Sequence, residues 1–149
     1  MKGILTAENV QSFIQSPSRN HMILTHGCVE GLNYVNVGLE VSCYIEDYVR
    51  DRRLSMRAQD FVAKLFREHI RQSEDFGQYL ALTNVAILFE PSLKLDVESL
   101  LDRWSQNITL FLNVENGIVA NNRYYLVSGC KEDYSVLLSA INYIQLPSK

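Results

Sequence analysis

Three short apolar runs, each followed by residues that interrupt regular structure, most constrain what this chain can fold into. They are residues 21–25 ahead of Gly27, residues 85–89 ahead of Pro91, and residues 108–112. Nearly continuous apolar runs of this length are typical of parallel strands that are covered on both faces. Segments with helical spacing of apolar residues separate them. The pattern predicts that the three runs are neighbouring parallel strands of one sheet.

Helical segments are predicted over much of the remaining chain. Apolar residues recur at helical spacing over residues 39–49, over residues 55–70 and after Asp96. The same spacing predicts a last helix at about residues 132–144. Strands that alternate with helices place the chain in the α/β class, with a small, mostly parallel sheet flanked by helices. A length of 149 residues without a linker or a repeat fits one domain over residues 1–149.

Composition argues against several classes of function. The net charge is −3, so the chain as a whole has no electrostatic attraction to nucleic acid. The cysteines Cys28, Cys43 and Cys130 form no CxxC pair, which argues against a zinc knuckle or a redox motif. No apolar run reaches the roughly 18 residues that a membrane span requires. These observations predict a cytoplasmic protein without a metal site or a cofactor.

The segment after the first predicted strand is where a P-loop would lie. A P-loop reads GxxxxGK[ST]; its backbone amides wrap the phosphates, its lysine neutralises their charge, and its hydroxyl holds magnesium. Residues 25–33 read THGCVEGLN, with Gly27 and Gly31 at a different spacing and without the lysine. Glu30 would repel a phosphate. Residues 85–89, where a Walker B strand would supply an aspartate, contain no acid, so the sequence predicts no ATP hydrolysis.

A longer stretch of the chain resembles a known family. Residues 83–96, TNVAILFEPSLKLD, and the segment from Leu100 to Thr109 are similar to the small P-loop proteins of BREX phage-exclusion systems, the BrxF family. The specific part of the resemblance covers residues 83–109, and the order of elements extends it to about residues 21–134. The chain departs from the family in three ways. The P-loop is missing, the Walker B aspartate falls on Thr83, and the arginine of the family's Ser-Arg-Asn is replaced by Gln106.

The resemblance implies a place in an anti-phage defence complex, and its departures imply a degenerate P-loop-NTPase-like fold. Without the P-loop, we assign no catalytic, cofactor-binding or metal-binding residue. The resulting hypothesis is a non-catalytic accessory or adaptor subunit, not an enzyme, that binds a larger protein subunit of such a complex. Contact with DNA through the complex and formation of a homo-oligomer stay open.

Exposed aromatic residues are the candidates for partner binding, because aromatic side chains contribute much of the binding energy at interfaces. The candidates are Trp104, Tyr124 and Tyr125. If residues 123–127 form a strand, one of the two adjacent tyrosines faces outward. Packing in the core or at its rim is the competing explanation for all three.

A cluster of arginines supports an alternative function, a nucleic-acid-contacting subunit. Arginine side chains can neutralise backbone phosphates. Asp51 lies between these arginines and Asp47 lies nearby, which favours surface ion pairs over phosphate contacts. The candidate contacts are Arg50, Arg52, Arg53 and Arg57.

Overall fold

A computed structural model of the chain describes residues 12–74, 76–114, 117–125 and 135–145. Residues 12–14 are helical, and the helices that follow are α1 (Val37–Ile45), α2 (Leu54–Glu68) and α3 (Val97–Trp104). Short 3-10 helices cover Glu46–Tyr48, Val85–Phe89 and Pro91–Leu93. The strands are β1 (Met22–Thr25), β2 (Tyr34–Asn36), β3 (Arg71–Ser73), β4 (Gly77–Thr83), β5 (Thr109–Asn113), β6 (Ile118–Ala120), β7 (Arg123–Tyr125), β8 (Ser135–Leu137) and β9 (Tyr143–Gln145).

Six of these strands form the main sheet. Five follow the order β2-β4-β5-β1-β9, and β3 pairs with β4 outside that order. All five are parallel to their neighbours, whereas β3 and β4 form an antiparallel hairpin. The predicted α/β class is therefore confirmed, with a mostly parallel sheet flanked by helices that is consistent with a P-loop-like fold. The predicted pairing of the first and third apolar runs is also confirmed, since β1 lies beside β5.

The middle apolar run is not the strand that the sequence predicted. Val85–Phe89 is a 3-10 helix, and the strand beside β5 is β4, which immediately precedes it. Asn84 adopts a left-handed conformation with φ of 56°, which ends β4 and turns the chain away from the sheet. Val85, Leu88 and Phe89 are the buried residues of the turn, which is helical spacing. A short apolar run does not by itself distinguish a strand from a buried helical turn.

The predicted last helix is wrong over its described part. Residues 126–134 lie outside the described residues, and the chain beyond them forms β8 and β9. β8 pairs with β7, and β9 adds a parallel strand to β1, with Tyr143 opposite Met22. Pairing with strands far away in the sequence prevailed over a local helical pattern, because each added strand buries its apolar side chains against the existing sheet.

The two faces of the main sheet are covered differently. Residues on one face of the strands pack against the helices, among them Leu24, Leu82 and Leu112. The opposite face carries Ile23, Tyr79, Ala81 and Phe111. The partners of this second face include Val29 and Leu32, which belong to the loop over residues 26–33. This loop therefore covers part of the second face, together with Phe13 and Ile14 of the helical residues 12–14.

A smaller antiparallel sheet, in the order β6-β7-β8, lies beside the helical layer. Asn121 and Asn122 form the tight turn between β6 and β7, with φ values of 54° and 59°. Two positive φ values are the signature of a two-residue hairpin, and asparagine tolerates them well. Tyr124 of this sheet contacts the Phe89 ring edge-on, with 6.0 Å between the centroids. The contact joins the small sheet to the main core.

Candidate functional site

The carboxyl ends of the parallel strands carry a cluster of polar side chains. Thr25 ends β1, Thr83 ends β4 and Asn113 ends β5. Because side chains alternate along a strand, these three lie on the face of Ile23, Ala81 and Phe111. In open α/β sheets, ligands bind in the crevice outside these strand ends. This edge is thus where a nucleotide would bind in a P-loop-like fold.

In this chain the loop over residues 26–33 closes that edge. The Gly27 amide donates to Asn113 Oδ1 at 2.9 Å, and the Thr25 hydroxyl donates to the Gly27 carbonyl at 2.7 Å. The Asn113 side-chain amide donates to Thr83 Oγ1 at 3.0 Å and to Cys28 Sγ at 3.6 Å. Asn113 is only 5% exposed, whereas its partners Gly27 and Cys28 lie at the surface. The first glycine amide of the loop is therefore bound to protein instead of facing a phosphate.

Two tyrosines hold the rest of the loop. The Val29 amide donates to the Tyr34 hydroxyl at 2.8 Å, and the Asn33 amide donates to the Tyr79 hydroxyl at 3.0 Å. Burial is the main reason why the pKa of Tyr34 is raised above its usual value, and the bond from Val29 opposes that shift. Gly27, with φ of 133°, adopts a backbone conformation that side-chain-bearing residues rarely reach. Glycine at this position thus serves the closed loop geometry.

Tyr34 is expected to keep its proton at a pH where free tyrosines have lost theirs. Its folded-state pKa is raised, so its contribution to stability is complete below the unfolded pKa of about 10 and is lost as the pH rises through the folded value. The ultraviolet absorbance of tyrosinate, recorded for the wild type and for Tyr34→Phe, isolates this group by difference. A difference curve with its midpoint below the free value would contradict the burial seen here.

The first acidic residue after the run 85–89, where a Walker B acid would lie, is also engaged in structural contacts. The Glu90 carboxylate accepts hydrogen bonds from the Ser92 amide at 3.4 Å and the Ser92 hydroxyl at 3.1 Å. These bonds cap the 3-10 helix that begins at Pro91. Among the described residues, no three His, Cys, Asp or Glu side chains come together in a group that could hold a metal ion. Thr83, at the carboxyl end of β4, offers only a hydroxyl.

The four candidate arginines differ in their surroundings. Arg57 Nε contacts Asp51 Oδ2 at 3.0 Å, and its guanidinium lies 4.5 Å from the centroid of the Tyr48 ring. The pKa of Asp51 is lowered, first by the hydrogen bond from the Arg53 backbone amide and then by Arg57. The side chains of Arg50, Arg52 and Arg53 are exposed. The structure thus brings Arg57 into a local cluster with Asp51 and leaves three arginines facing solvent.

The three aromatic candidates also lie in different environments. Tyr124 is 3% exposed, so its ring belongs to the core and offers no surface to a partner. Its neighbour Tyr125 is half-buried, which fits the expected alternation along β7. Trp104 is half-buried at the end of α3, and its ring meets the Phe66 ring edge-on at 5.6 Å between centroids. Trp104 and Tyr125 remain candidates for contact with a partner.

Two features of the structure were not predicted from the sequence. The bonds of Asn113 and Thr83 depend on which strands are neighbours, although polar residues at the ends of apolar runs were a signal for them. A groove between α2 and α3, one wall of which is Trp104, had no signal in the sequence.

No helix within the described residues is long and apolar enough to cross a membrane.

No family model, curated protein or solved structure matches the chain.

Proposed function

We propose that this chain is a non-catalytic accessory or adaptor subunit, with a degenerate P-loop-like fold, that binds a larger protein. The observation that carries the proposal is the closed loop after β1. The Gly27 amide is bound by Asn113, and the Val29 and Asn33 amides are bound by tyrosine hydroxyls. Three amides at the edge where phosphates bind in P-loop folds are therefore engaged within the protein.

What remains of such a fold is a rigid sheet and its surface. Val29 and Leu32 of the loop pack against apolar residues of the sheet. An adaptor needs this rigidity, because a pre-formed surface loses less conformational entropy on binding. The resemblance of residues 83–109 to the BREX family supplies the context, an anti-phage complex.

The nucleic-acid alternative receives less support from the geometry. Arg57 is bound to Asp51 and packed on Tyr48, so it is the least available of the four arginines. Acidic residues at Glu46 and Asp47 are exposed nearby and reduce the local positive charge. A discrete gel shift with duplex DNA at about 150 mM salt, abolished by reversing Arg50, Arg52 and Arg53, would favour this alternative.

The chain is expected to show no binding of ATP with magnesium at about millimolar concentration, which is the upper end of the usual range of enzyme KM values. The reason is that the loop amides are engaged and that no lysine lies in the loop. Isothermal titration calorimetry measures this directly, with an intact P-loop ATPase titrated in the same buffer as the control. Micromolar affinity, or magnesium-dependent release of phosphate, would refute a degenerate site.

Purification of the tagged chain from its native host, followed by mass spectrometry, tests the adaptor function itself. The expected result is a larger protein present in a fixed ratio to the tagged chain after nuclease treatment. The nuclease separates a protein partner from proteins that are bridged by DNA. A chain that elutes alone under these conditions would count against the adaptor function.

A further inference from the structure

A groove between α2 and α3 has the features of a site for a protein side chain. Its volume is about 250 Å³ and it opens to solvent. Val62 of α2, Leu100 of α3 and Leu95 ahead of α3 form apolar walls, and Trp104 lines one end. Pockets for drug-sized ligands measure roughly 300–1,000 Å³. The groove lies below this range and suits one or two side chains of a partner.

Trp104 carries an unsatisfied donor beside the groove. Its Nε1 is buried and has no hydrogen-bond partner within the part of the chain that the structure describes. A buried donor without an acceptor costs about 1–3 kcal/mol, so such groups call for an explanation. The rest of the indole is partly exposed and lines the groove, so a turn of the ring would let a carbonyl or carboxylate oxygen of a partner accept from this N–H.

The charges along the groove are mainly positive. Lys94 precedes the first turn of α3 and Arg103 lies in its last turn, so the two cations that line the groove lie near opposite ends of this helix. Both side chains are exposed, and neither forms an ion pair with any described residue. The carboxylate of Asp96 is engaged in capping α3 through the Ser99 amide and hydroxyl, at 3.1 and 2.9 Å.

From these observations we infer that the groove binds an acidic segment of the partner protein, in which apolar side chains are flanked by carboxylates. The apolar side chains fill the space between Val62 and Leu100, and the carboxylates face Lys94 and Arg103. Tryptophan and arginine are the residue types most enriched at energetic hot spots of interfaces. This inference rests on the proposed adaptor function and names the surface that would perform it.

Trp104 is the single tryptophan of the chain, so its fluorescence reports on the groove directly. The probe is a synthetic peptide with a Leu-Leu-Phe core between glutamates, and the matched peptide has lysines in place of the glutamates. We expect a saturable change in Trp104 emission with the acidic peptide and none with the basic one. The absence of a saturable response to the acidic peptide, or an equal response to both peptides, would overturn the inference.

A pair of charge-reversal variants locates the binding. Lys94→Asp with Arg103→Glu is expected to lower the affinity for the acidic peptide by about tenfold, because two attractions between opposite charges become two repulsions. Aspartate is chosen at position 94 because φ there is 51°, a conformation that aspartate tolerates. The matched control is Arg50→Glu with Arg52→Glu, which changes the net charge equally at exposed sites outside the groove. If the control pair weakened binding of the acidic peptide equally, the effect would come from the net charge of the chain, and binding in the groove would be refuted.

The groove and the adaptor function can fail separately. If the chain with Lys94→Asp and Arg103→Glu still retains its partner during purification from the native host, binding in the groove is refuted while the adaptor function stands. If neither the wild type nor the variant retains a partner, the adaptor function itself fails.

Discussion

Leu82→Asp is expected to abolish cooperative folding, whereas Ile87→Asp is expected to leave the chain folded. Leu82 is fully buried in β4, where it pairs with Leu112 of β5 on one side and Val35 of β2 on the other. Ile87 lies in the 3-10 helix after β4 and is only half-buried. Ile87 belongs to the apolar run that the sequence predicted to be a central strand, where an aspartate would be expected to unfold the domain. The structure places it in a 3-10 helix instead, which changes the expected result.

The difference follows from the environment of each carboxyl group. A buried aspartate either remains charged without a partner or takes up a proton, and each outcome costs several kcal/mol on top of the lost leucine contacts. The total approaches the roughly 5–15 kcal/mol by which a whole domain is stable. At position 87 the carboxylate can reach water, so most of this penalty is avoided.

Circular dichroism and thermal unfolding of the two variants measure the contrast. The expected result is a cooperative transition for Ile87→Asp, at a lower temperature than for the wild type, and no transition for Leu82→Asp. Leu82→Ala serves as a graded control, with an expected loss of about 2–5 kcal/mol. If Ile87→Asp unfolded the chain and Leu82→Asp did not, β4 would not be the central strand.

Asn113→Ala is expected to lower the free energy of unfolding by about 1–3 kcal/mol. The asparagine side chain accepts from the Gly27 amide and donates to the Thr83 hydroxyl, and it is 5% exposed. Its removal takes the acceptor from the Gly27 amide, which is exposed and can bind water instead, and takes a donor from Thr83, which is partly buried. Removing one partner of a buried bond costs more than the bond itself contributes, because the remaining group stays desolvated.

Urea denaturation compares this variant with Asn107→Ala, which removes an exposed asparagine just before β5. The free energy of unfolding of the control is expected to lie within about 0.5 kcal/mol of the wild-type value, as is usual for substitutions at surface positions. Amide hydrogen exchange adds a local readout, since the Gly27 amide should exchange faster in Asn113→Ala. Equal stability of the two variants, with unchanged exchange at Gly27, would mean that Asn113 does not hold the loop.

The sequence by itself determined the fold class and two of the central strands. The apolar runs that became β1 and β5 were recognisable because both faces of these strands are buried, which leaves no polar alternation. The missing lysine after β1 was equally visible, since a motif is a local property. The alternation between Tyr124 and Tyr125 was also expected, although the sequence did not show which ring faces the core.

The tertiary structure alone decided which apolar segment became the third central strand, what the chain after residue 134 forms, and how the carboxyl edge is closed. Each depends on groups far apart in the sequence, such as Met22 with Tyr143, or Gly27 with Asn113. Local spacing favoured a strand at residues 85–89 and a helix near residue 137 because both patterns are short. Strand pairing and burial of the paired side chains outweigh such weak local preferences, and they exist only once the distant strands have come together.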